Sequence, residues 1–120
     1  MYAVIGGVTY RAGAINAILL GLYDQSGNIH YIGHAGSGKL TQKEWKELTG
    51  FLQSLQISEK PFINEAVQRK NVQWVKPLLT TKVQYIEWSE HRSLRQPTLQ
   101  AIVDVPIEQC RLEQVERSVE

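Results

Sequence analysis

The first 35 residues carry apolar patterns that are typical of β-strands. Residues 2–10 mix strand-forming side chains with a glycine pair, which predicts a strand with a bulge or a bend. Residues 14–23 are almost continuously apolar, as in a central strand that is covered on both faces. After a turn at 24–27, residues 28–35 alternate between apolar and polar positions. The second and third strands are therefore predicted to form a hairpin.

Strict alternation in the third strand assigns each of its side chains to a face. One face carries Ile29 and Tyr31, and the opposite face carries His30, Ile32 and His34. Both histidines of this strand are therefore predicted to share a face with one aliphatic residue.

Residues 41–55 predict a capped helix. Thr41 and Glu44 have the spacing of a capping box, in which each side chain accepts a hydrogen bond from the backbone amide of the other residue. Apolar residues follow at helical spacing and predict one buried stripe, made of Trp45, Leu48, Leu52 and Leu55. Gly50 lies inside this helix and costs roughly 1 kcal/mol relative to alanine, which weakens the prediction for the second half.

The second half of the chain has shorter and less regular patterns. Residues 57–77 have little periodicity and predict a long connection. Residues 80–88 predict a strand with Val83 and Tyr85 on one face. Trp88 departs from that face, so either a bulge intervenes or Trp88 covers a groove.

Residues 94–105 predict a last strand, with an edge or a bulge at Pro97. Pro106 could begin a short helix that has Ile107, Cys110 or Arg111, and Val115 on one side. The predicted chain is thus mainly β, with five strands, a helix between the third and fourth strands, and a short C-terminal helix. This is the arrangement of an OB-fold, a small five-stranded barrel.

Length and charge limit the classes of protein that fit. A chain of 120 residues with 42% hydrophobic residues holds one modest core, so residues 1–120 are predicted to form one domain. Residues 60–95 hold seven basic and three acidic residues, whereas 104–120 hold five acidic residues and two arginines. This asymmetry predicts one face suited to phosphate and an acidic tail kept off it. An ordinary solvated surface explains it equally well.

The remaining composition favours a reducing compartment. Cys110 is the single cysteine, which excludes an internal disulfide. The sequence shows neither a signal peptide nor the roughly 18 consecutive apolar residues of a membrane span. The three histidines lack the accompanying cysteines or carboxylates of a metal site. We therefore expect a cytoplasmic protein with no metal ligands and no membrane partner.

Residues 33–39, GHAGSGK, have the spacing of a nucleotide-binding phosphate loop. They follow a predicted strand and precede a predicted helix, as such a loop does. The loop requires Ser or Thr directly after its lysine to bind magnesium, but Leu40 follows Lys39, and Thr41 comes one residue too late. A small nucleotide-binding protein is therefore the least favoured interpretation.

Five longer motifs occur in a fixed order along the chain. They are AILLGLYDQSGNIHYIGHAGSGKLTQKEWKEL at 17–48, PF at 61–62, WVKP at 74–77, VQYIEWS at 83–89 and LRQPTL at 94–99. Together they resemble the C-terminal OB domain of ATP-dependent DNA ligases, above all the bacterial end-joining ligases that work with the Ku protein. The resemblance runs over about residues 2–110.

The resemblance implies that this domain is one part of a larger enzyme. In such ligases an adenylation domain precedes it and carries the K-x-D-G lysine that attacks ATP. No lysine of this chain is followed by x-D-G, so we expect no catalytic residue, no bound cofactor and no sealing activity of the domain alone. ATP and Mg²⁺ are implied for the complete ligase, which would act at the bacterial nucleoid. The adenylation domain and Ku are its implied protein partners.

The chain departs from the family at the end of its last predicted strand. OB domains of many ligases carry a basic motif there, near R-x-D-K, which orients the pyrophosphate of ATP. Val103 stands where the arginine would fall, and no lysine follows. Since valine cannot stabilise a pyrophosphate, either the parent enzyme performs this step otherwise or the domain serves mainly in DNA binding.

The resemblance also implies sequence-independent contacts with the phosphates of nicked or broken duplex DNA. The candidate DNA-binding residues are Arg11, His34, Lys39, Lys76, Lys82, Arg92 and Arg95. Lys82 could instead protect a strand edge, and the arginines could simply be solvated. The glycine-rich loop at 33–39 would open a path for the DNA backbone, or would only connect a strand to a helix.

A ligase binds duplex DNA, whereas stacking of bases on aromatic side chains is typical of proteins that bind single strands. Phe62, Trp45, Trp74 and Tyr85 are therefore predicted to belong to the core, while the places of Trp88 and Tyr10 stay open. The alternative function belongs to another class, a stand-alone OB module derived from a ligase. Such a module would bind single strands or a protein without a catalytic role, and the missing basic motif favours it.

Overall fold

Strands make up most of the regular structure in a computed structural model of the chain, which describes residues 1–64 and 71–116. The charged residues at 65–70 and 117–120, which contributed to the predicted charge asymmetry, lie outside the described residues. The elements are β1 (Tyr2–Arg11), β2 (Ala14–Tyr23), β3 (Ile29–Ala35), α1 (Gln42–Gln53), β4 (Gln56–Ile57), β5 (Val72–Val75), β6 (Thr80–Gln84), β7 (Glu87–Trp88), β8 (Leu94–Arg95) and β9 (Thr98–Val103).

The long strand β1 is the centre of the sheet. Its residues Val4 to Arg11 pair with β2, while on its other edge Tyr2 to Val4 pair with β6 and Gly7 to Thr9 pair with β5. The sheet branches at β1: one path runs β3, β2, β1, β5, β4, and on a second path β6 joins β1 to β9. All of these ladders are antiparallel. With α1 between β3 and β6, this confirms the predicted mainly β, OB-fold arrangement and the hairpin of the second and third strands.

The predicted bulge in β1 is confirmed at its glycine pair. The register with β2 shifts between Ile5 and Gly7, which leaves Gly6 as the extra residue. A Cβ atom on Gly6 would lie 2.6 Å from the Phe62 ring. Glycine is required here because the bent strand and the ring of Phe62 approach so closely.

The third strand does not alternate strictly, so the predicted assignment of faces was wrong. Its register with β2 shifts at Leu20, and Ile32 has no partner in the ladder. The bulge brings Ile29, Ile32 and Ala35 to the core at every third position. As a result, Ile32 does not share a face with His34.

The last third of the chain is more broken than its pattern predicted. The strand predicted at 80–88 ends at Gln84, and the strand predicted at 94–105 is interrupted at Gln96 and Pro97. Between the two breaks, β7 and β8 form a separate hairpin. The connection predicted at 57–77 contains β4 and β5, and the predicted C-terminal helix is replaced by two 3-10 turns at Ile107–Gln109 and Leu112–Gln114.

The helix and the core follow the prediction. Both hydrogen bonds of the Thr41 and Glu44 capping box are present, and Leu48 and Leu52 are buried. Phe62 is also buried and meets Tyr31 and Trp74 edge to face. The other aromatic residues in question pack partly buried against this core: Trp45, Trp74, Tyr85, Trp88 and Tyr10.

The glycine-rich loop closes the sheet between β3 and β9. The amide of Lys39 donates to the carbonyl oxygen of Leu99 at 2.9 Å, and Gly38 lies directly on the Leu99 backbone. The ladder itself does not join β3 to β9, so this loop spans the gap.

The acidic C-terminal segment folds back onto the barrel. Tyr23 donates its amide to the Cys110 carbonyl at 2.7 Å, and the Gln114 side chain both donates to and accepts from the backbone of Tyr2. Within this segment, the side chains of Cys110 and Leu112 are buried. Glu116, the last described residue of this segment, reaches Arg92 in the basic part of the chain.

Candidate nucleic-acid interface

An open groove of about 560 Å³ lies between β3 and the segment at 93–97. Tyr31, Gly33, His34 and Gly36 line one side, and Ser93, Gln96 and Pro97 line the other. A Cβ atom on Gly33 would point toward Pro97 at 3.7 Å, and Gly33 has a φ of +148°. The small glycine surface widens the groove and exposes backbone to a ligand.

The side chains of Tyr31 and His34 meet inside this groove. The Tyr31 hydroxyl lies 3.2 Å from Nδ1 of His34. Strict alternation would separate residues three apart, but the bulge at Ile32 brings them to one face. His34, a weak candidate from the sequence, therefore lies in this groove, on the side opposite Ser93, Gln96 and Pro97.

The β7–β8 hairpin carries Arg92 and Arg95, two of the predicted DNA-binding residues. Ser89 and Ser93 close its turn through their backbone and through their hydroxyls, which lie 2.8 Å apart. Arg92 and Gln96 have φ values of +55° and +50°, in the left-handed region that non-glycine residues rarely adopt. Such strained positions cluster at functional sites, which supports a role for this hairpin.

Arg95 pairs with Glu87 across the two strands of the hairpin. These residues are direct partners in the ladder, and Nη1 of Arg95 donates to Oε1 of Glu87 at 2.8 Å. Both side chains are more than half exposed, 62% for Arg95 and 56% for Glu87. The pair is therefore weak, and it leaves the remaining donors of the guanidinium available to an incoming anion.

Arg92 pairs with a residue far away in sequence. Its Nε lies 2.9 Å from Oε2 of Glu116, with side-chain exposures of 50% and 30%. The guanidinium therefore turns toward the C-terminal segment, while its neighbour Ser93 lines the groove.

Lys39 and Lys82 both lie next to β9. Lys82 is exposed on β6, and its ladder partner on β9 is Ala101. Two residues before Ala101, the carbonyl of Leu99 accepts a hydrogen bond from the Lys39 amide. Burial and, to a smaller extent, the charge of Lys82 lower the pKa of the Met1 amino group. Among the candidate cations, ion pairs with described residues are seen for Arg92 and Arg95.

Two candidates lie apart from this surface. Arg11 is the last residue of β1 and lies nine residues beyond Tyr2. Tyr2, at the other end of the strand, is the ladder partner of Lys82. At the rise of an extended strand, this separates Arg11 from Lys82 by roughly 30 Å. Lys76 donates its amide to the Leu55 carbonyl, next to the end of α1. The structure therefore places His34 in the groove and Arg95 on the hairpin beside it, whereas Arg92 faces the C-terminal segment. Lys39 and Lys82 lie next to β9, and Arg11 and Lys76 lie on other parts of the fold.

Sequence reasoning missed the acidic partners and the polar wall of the groove. Glu87 and Arg95 stand symmetrically about the polar turn at 89–93, and this spacing could have indicated a cross-strand pair. Glu116 gave no local signal, because its partner Arg92 lies 24 positions earlier in the sequence. Ser93 and Gln96 line the groove only because the predicted last strand is interrupted.

The glycine-rich loop at 33–39 does not form a nucleotide-binding phosphate loop. The amides of Lys39 and Leu40 donate to the carbonyls of Leu99 and Ser37, so they are not directed at a phosphate. Within the described ranges, no cluster of three or more His, Cys, Asp or Glu residues could hold a metal ion. In the same ranges, no helix is long and apolar enough to cross a membrane.

Curated relatives are all longer than this chain. The chain is 34% identical over 101 residues to the multifunctional non-homologous end joining protein LigD of Mycobacterium bovis, which covers 78% of the chain and 13% of that protein. It is 33% identical over 90 residues to the LigD protein of Mycolicibacterium smegmatis, which covers 73% of this chain and 12% of that protein. The chain thus spans about an eighth of the length of these relatives.

Solved structures and a family model agree with these relatives. A mycobacterial DNA ligase D complexed with ATP and MES superposes with a TM-score of 0.77 at 30% identity, over 91% of this chain and 36% of that one. The ligase domain of M. tuberculosis LigD superposes with a TM-score of 0.76 at 28% sequence identity. This match covers 98% of this chain and 38% of that one. The model of the ATP-dependent DNA ligase C-terminal region matches residues 11–104. The chain therefore belongs to the family of C-terminal regions of ATP-dependent DNA ligases.

Proposed function

We propose that this domain binds the sugar-phosphate backbone of nicked or broken duplex DNA and holds it for strand sealing. One observation supports this most: Arg95 is exposed on β8 beside Gln96 and Pro97, which line a glycine-bordered groove. A second candidate cation, Lys82, is exposed on β6, the strand that pairs with β9. Cations and exposed backbone amides are the groups that contact phosphate without reading bases. The groove offers no broad aromatic platform, since Trp45, Trp74 and Trp88 pack against the core.

The proposal places the chemistry outside this chain. Sealing requires an adenylated lysine, and the sequence contains no K-x-D-G motif. The domain would close on DNA opposite an adenylation domain, which binds ATP and Mg²⁺, in a ligase that repairs breaks in the bacterial cytoplasm together with Ku. Its contribution to the reaction is then alignment of the two ends, which lowers the entropic part of the barrier.

A stand-alone OB module that binds single strands or a protein is the second candidate function. The observation in its favour is Val103, where many ligases have an arginine. Val103 ends β9 as the ladder partner of Thr80, so the chain offers no basic group at that strand end.

Fluorescence anisotropy with labelled nicked duplex, intact duplex and single strand tests the proposal over a salt series. Duplex binding is expected to weaken steeply with salt, since each phosphate contact contributes about 0.9 to the slope of log K against log salt. Arg95→Ala and Lys82→Ala should each weaken duplex binding and reduce this slope by about 1.

Lys46→Ala is the matched control, because Lys46 is an exposed cation on α1, away from the groove. It should change neither the affinity nor the slope by a comparable amount. Preference for single strand would favour the stand-alone module. Equal losses in all three variants would contradict a localised DNA surface, because the signal would then report only net charge.

A further inference from the structure

The C-terminal segment is anchored so that Glu116 reaches the groove-flanking hairpin. The carbonyl of Cys110 accepts the Tyr23 amide at 2.7 Å. The Gln114 side chain forms two hydrogen bonds of 2.8 Å with the backbone of Tyr2. Leu112, between these anchors, is only 5% exposed. Glu116 therefore follows a fixed stretch of chain, and its position beside Arg92 is set by contacts other than the ion pair.

The hairpin turn fixes Arg92 from the other side. The Ser89 hydroxyl accepts hydrogen bonds from the amides of His91 and Ser93, and the Arg92 amide donates to the Ser89 carbonyl. Arg92 itself holds a φ of +55°. Both partners of the ion pair thus project from ordered backbone, which limits the entropy lost when the pair forms.

A carboxylate and a phosphate use the same donors of an arginine. The Glu116 oxygen lies 2.9 Å from Nε of Arg92, the position that a DNA phosphate oxygen would take in a bidentate contact. Since half of the Arg92 side chain is exposed, the pair is weak enough for a polyanion to displace. After displacement, the negative charge of Glu116 would remain near the phosphate and oppose binding.

We propose that Glu116 is an intramolecular competitor that occupies Arg92 of the DNA surface until a phosphate displaces it. This inference rests on the proposed function and assigns a regulatory role to the C-terminal segment at the same site. The segment lowers the affinity of the free domain for duplex DNA and makes release easier. It discriminates against weak, isolated anions, which cannot displace a tethered carboxylate as a duplex can.

Duplex affinity of Glu116→Gln, measured by anisotropy at low salt, tests the proposal. Removal of the competing charge is expected to tighten duplex binding about two- to fivefold, the range typical of an exposed ion pair. Glu113→Gln is the matched control, since Glu113 lies in the same segment but pairs with Arg111 at 3.1 Å instead of with Arg92. The control removes the same charge and should change the affinity less than about 1.5-fold.

A double substitution separates competition from a general charge effect. In an Arg92→Ala background, Glu116→Gln should gain no more affinity than Glu113→Gln does. Equal effects of the two glutamine variants in the wild-type background, or an undiminished gain without Arg92, would overturn the inference alone. A wild-type domain that fails to bind duplex at low salt would instead overturn the proposed function, and the inference with it.

Discussion

The amide of Lys39 donates to the carbonyl oxygen of Leu99 at 2.9 Å, where the glycine-rich loop crosses β9. This bond joins the loop that follows β3 to β9, a strand that the ladder does not pair with β3. The same loop borders the groove through Gly36. The packing of this loop on β9 and the shape of the proposed DNA surface therefore depend on one short segment.

Gly38→Ala is expected to destabilise the domain by about 2–3 kcal/mol, measured by urea unfolding. Gly38 has a φ of +56°, and a Cβ atom there would lie 2.5 Å from the Leu99 carbonyl oxygen. Because the clash is with backbone, the loop would have to move away from β9. Gly36→Ala in the same loop has only the Asn16 carbonyl nearby, at 3.8 Å, and should change stability by less than about 1 kcal/mol. Equal losses in both variants would contradict this role of Gly38.

Local patterns predicted the parts of the fold that local interactions determine. The capping box of Thr41 and Glu44 depends on residues three apart, and the β2–β3 hairpin depends on two strands with a short turn. The bulge at Gly6 was also visible, because a glycine pair inside a strand rarely has another cause.

Contacts between distant residues decided the rest. The bulge at Ile32 adjoins Gly33 in β3, but the alternating pattern of the strand concealed it, and it moved Tyr31 beside His34. The candidate cations could be named from the sequence because their charge is a property of each residue. Their positions in space could not be predicted, because they depend on contacts between distant segments. The pairing of β6 with β1 and β9 determines where Lys82 lies, and the return of the C-terminal segment brings Glu116 to Arg92.

Acid should remove a contribution of Asp24 to stability. Oδ2 of Asp24 lies 2.8 Å from Nε2 of His30, and Oδ1 accepts the amides of Asn28 and Ser26. These bonds, above all the one with His30, lower the pKa of Asp24 below its ordinary value. A carboxylate with a depressed pKa stabilises the fold above its unfolded-state pKa, and this contribution is lost as the pH falls through the folded-state value.

Asp24→Asn should therefore be less stable than the wild type at pH 7, and the difference should vanish under acidic conditions. Urea unfolding between pH 7 and pH 2 measures this difference. Asp104→Asn changes the same charge at an exposed position near the end of β9 and serves as the control. A stability difference for Asp24→Asn that stays constant over the whole pH range would show that the shifted pKa does not contribute.

Cys110 should react with thiol reagents only when the C-terminal segment leaves the barrel. Its side chain is fully buried, its Sγ lies 3.6 Å from the Thr80 hydroxyl, and burial raises the pKa of the thiol. Both the low accessibility and the small thiolate fraction slow alkylation. We expect iodoacetamide to label the native domain at least about 100-fold more slowly than the urea-unfolded chain.

Ser26→Cys in a Cys110→Ala background provides an exposed thiol as the control, since Ser26 lies in the β2–β3 turn. Saturation with duplex DNA should leave Cys110 protected, because displacement of Glu116 from Arg92 moves a side chain and does not require the anchors at Tyr2 and Tyr23 to break. Fast labelling of the free domain would contradict the anchored segment. Fast labelling only with DNA would show that the whole segment detaches, so that the competitor acts as a mobile arm.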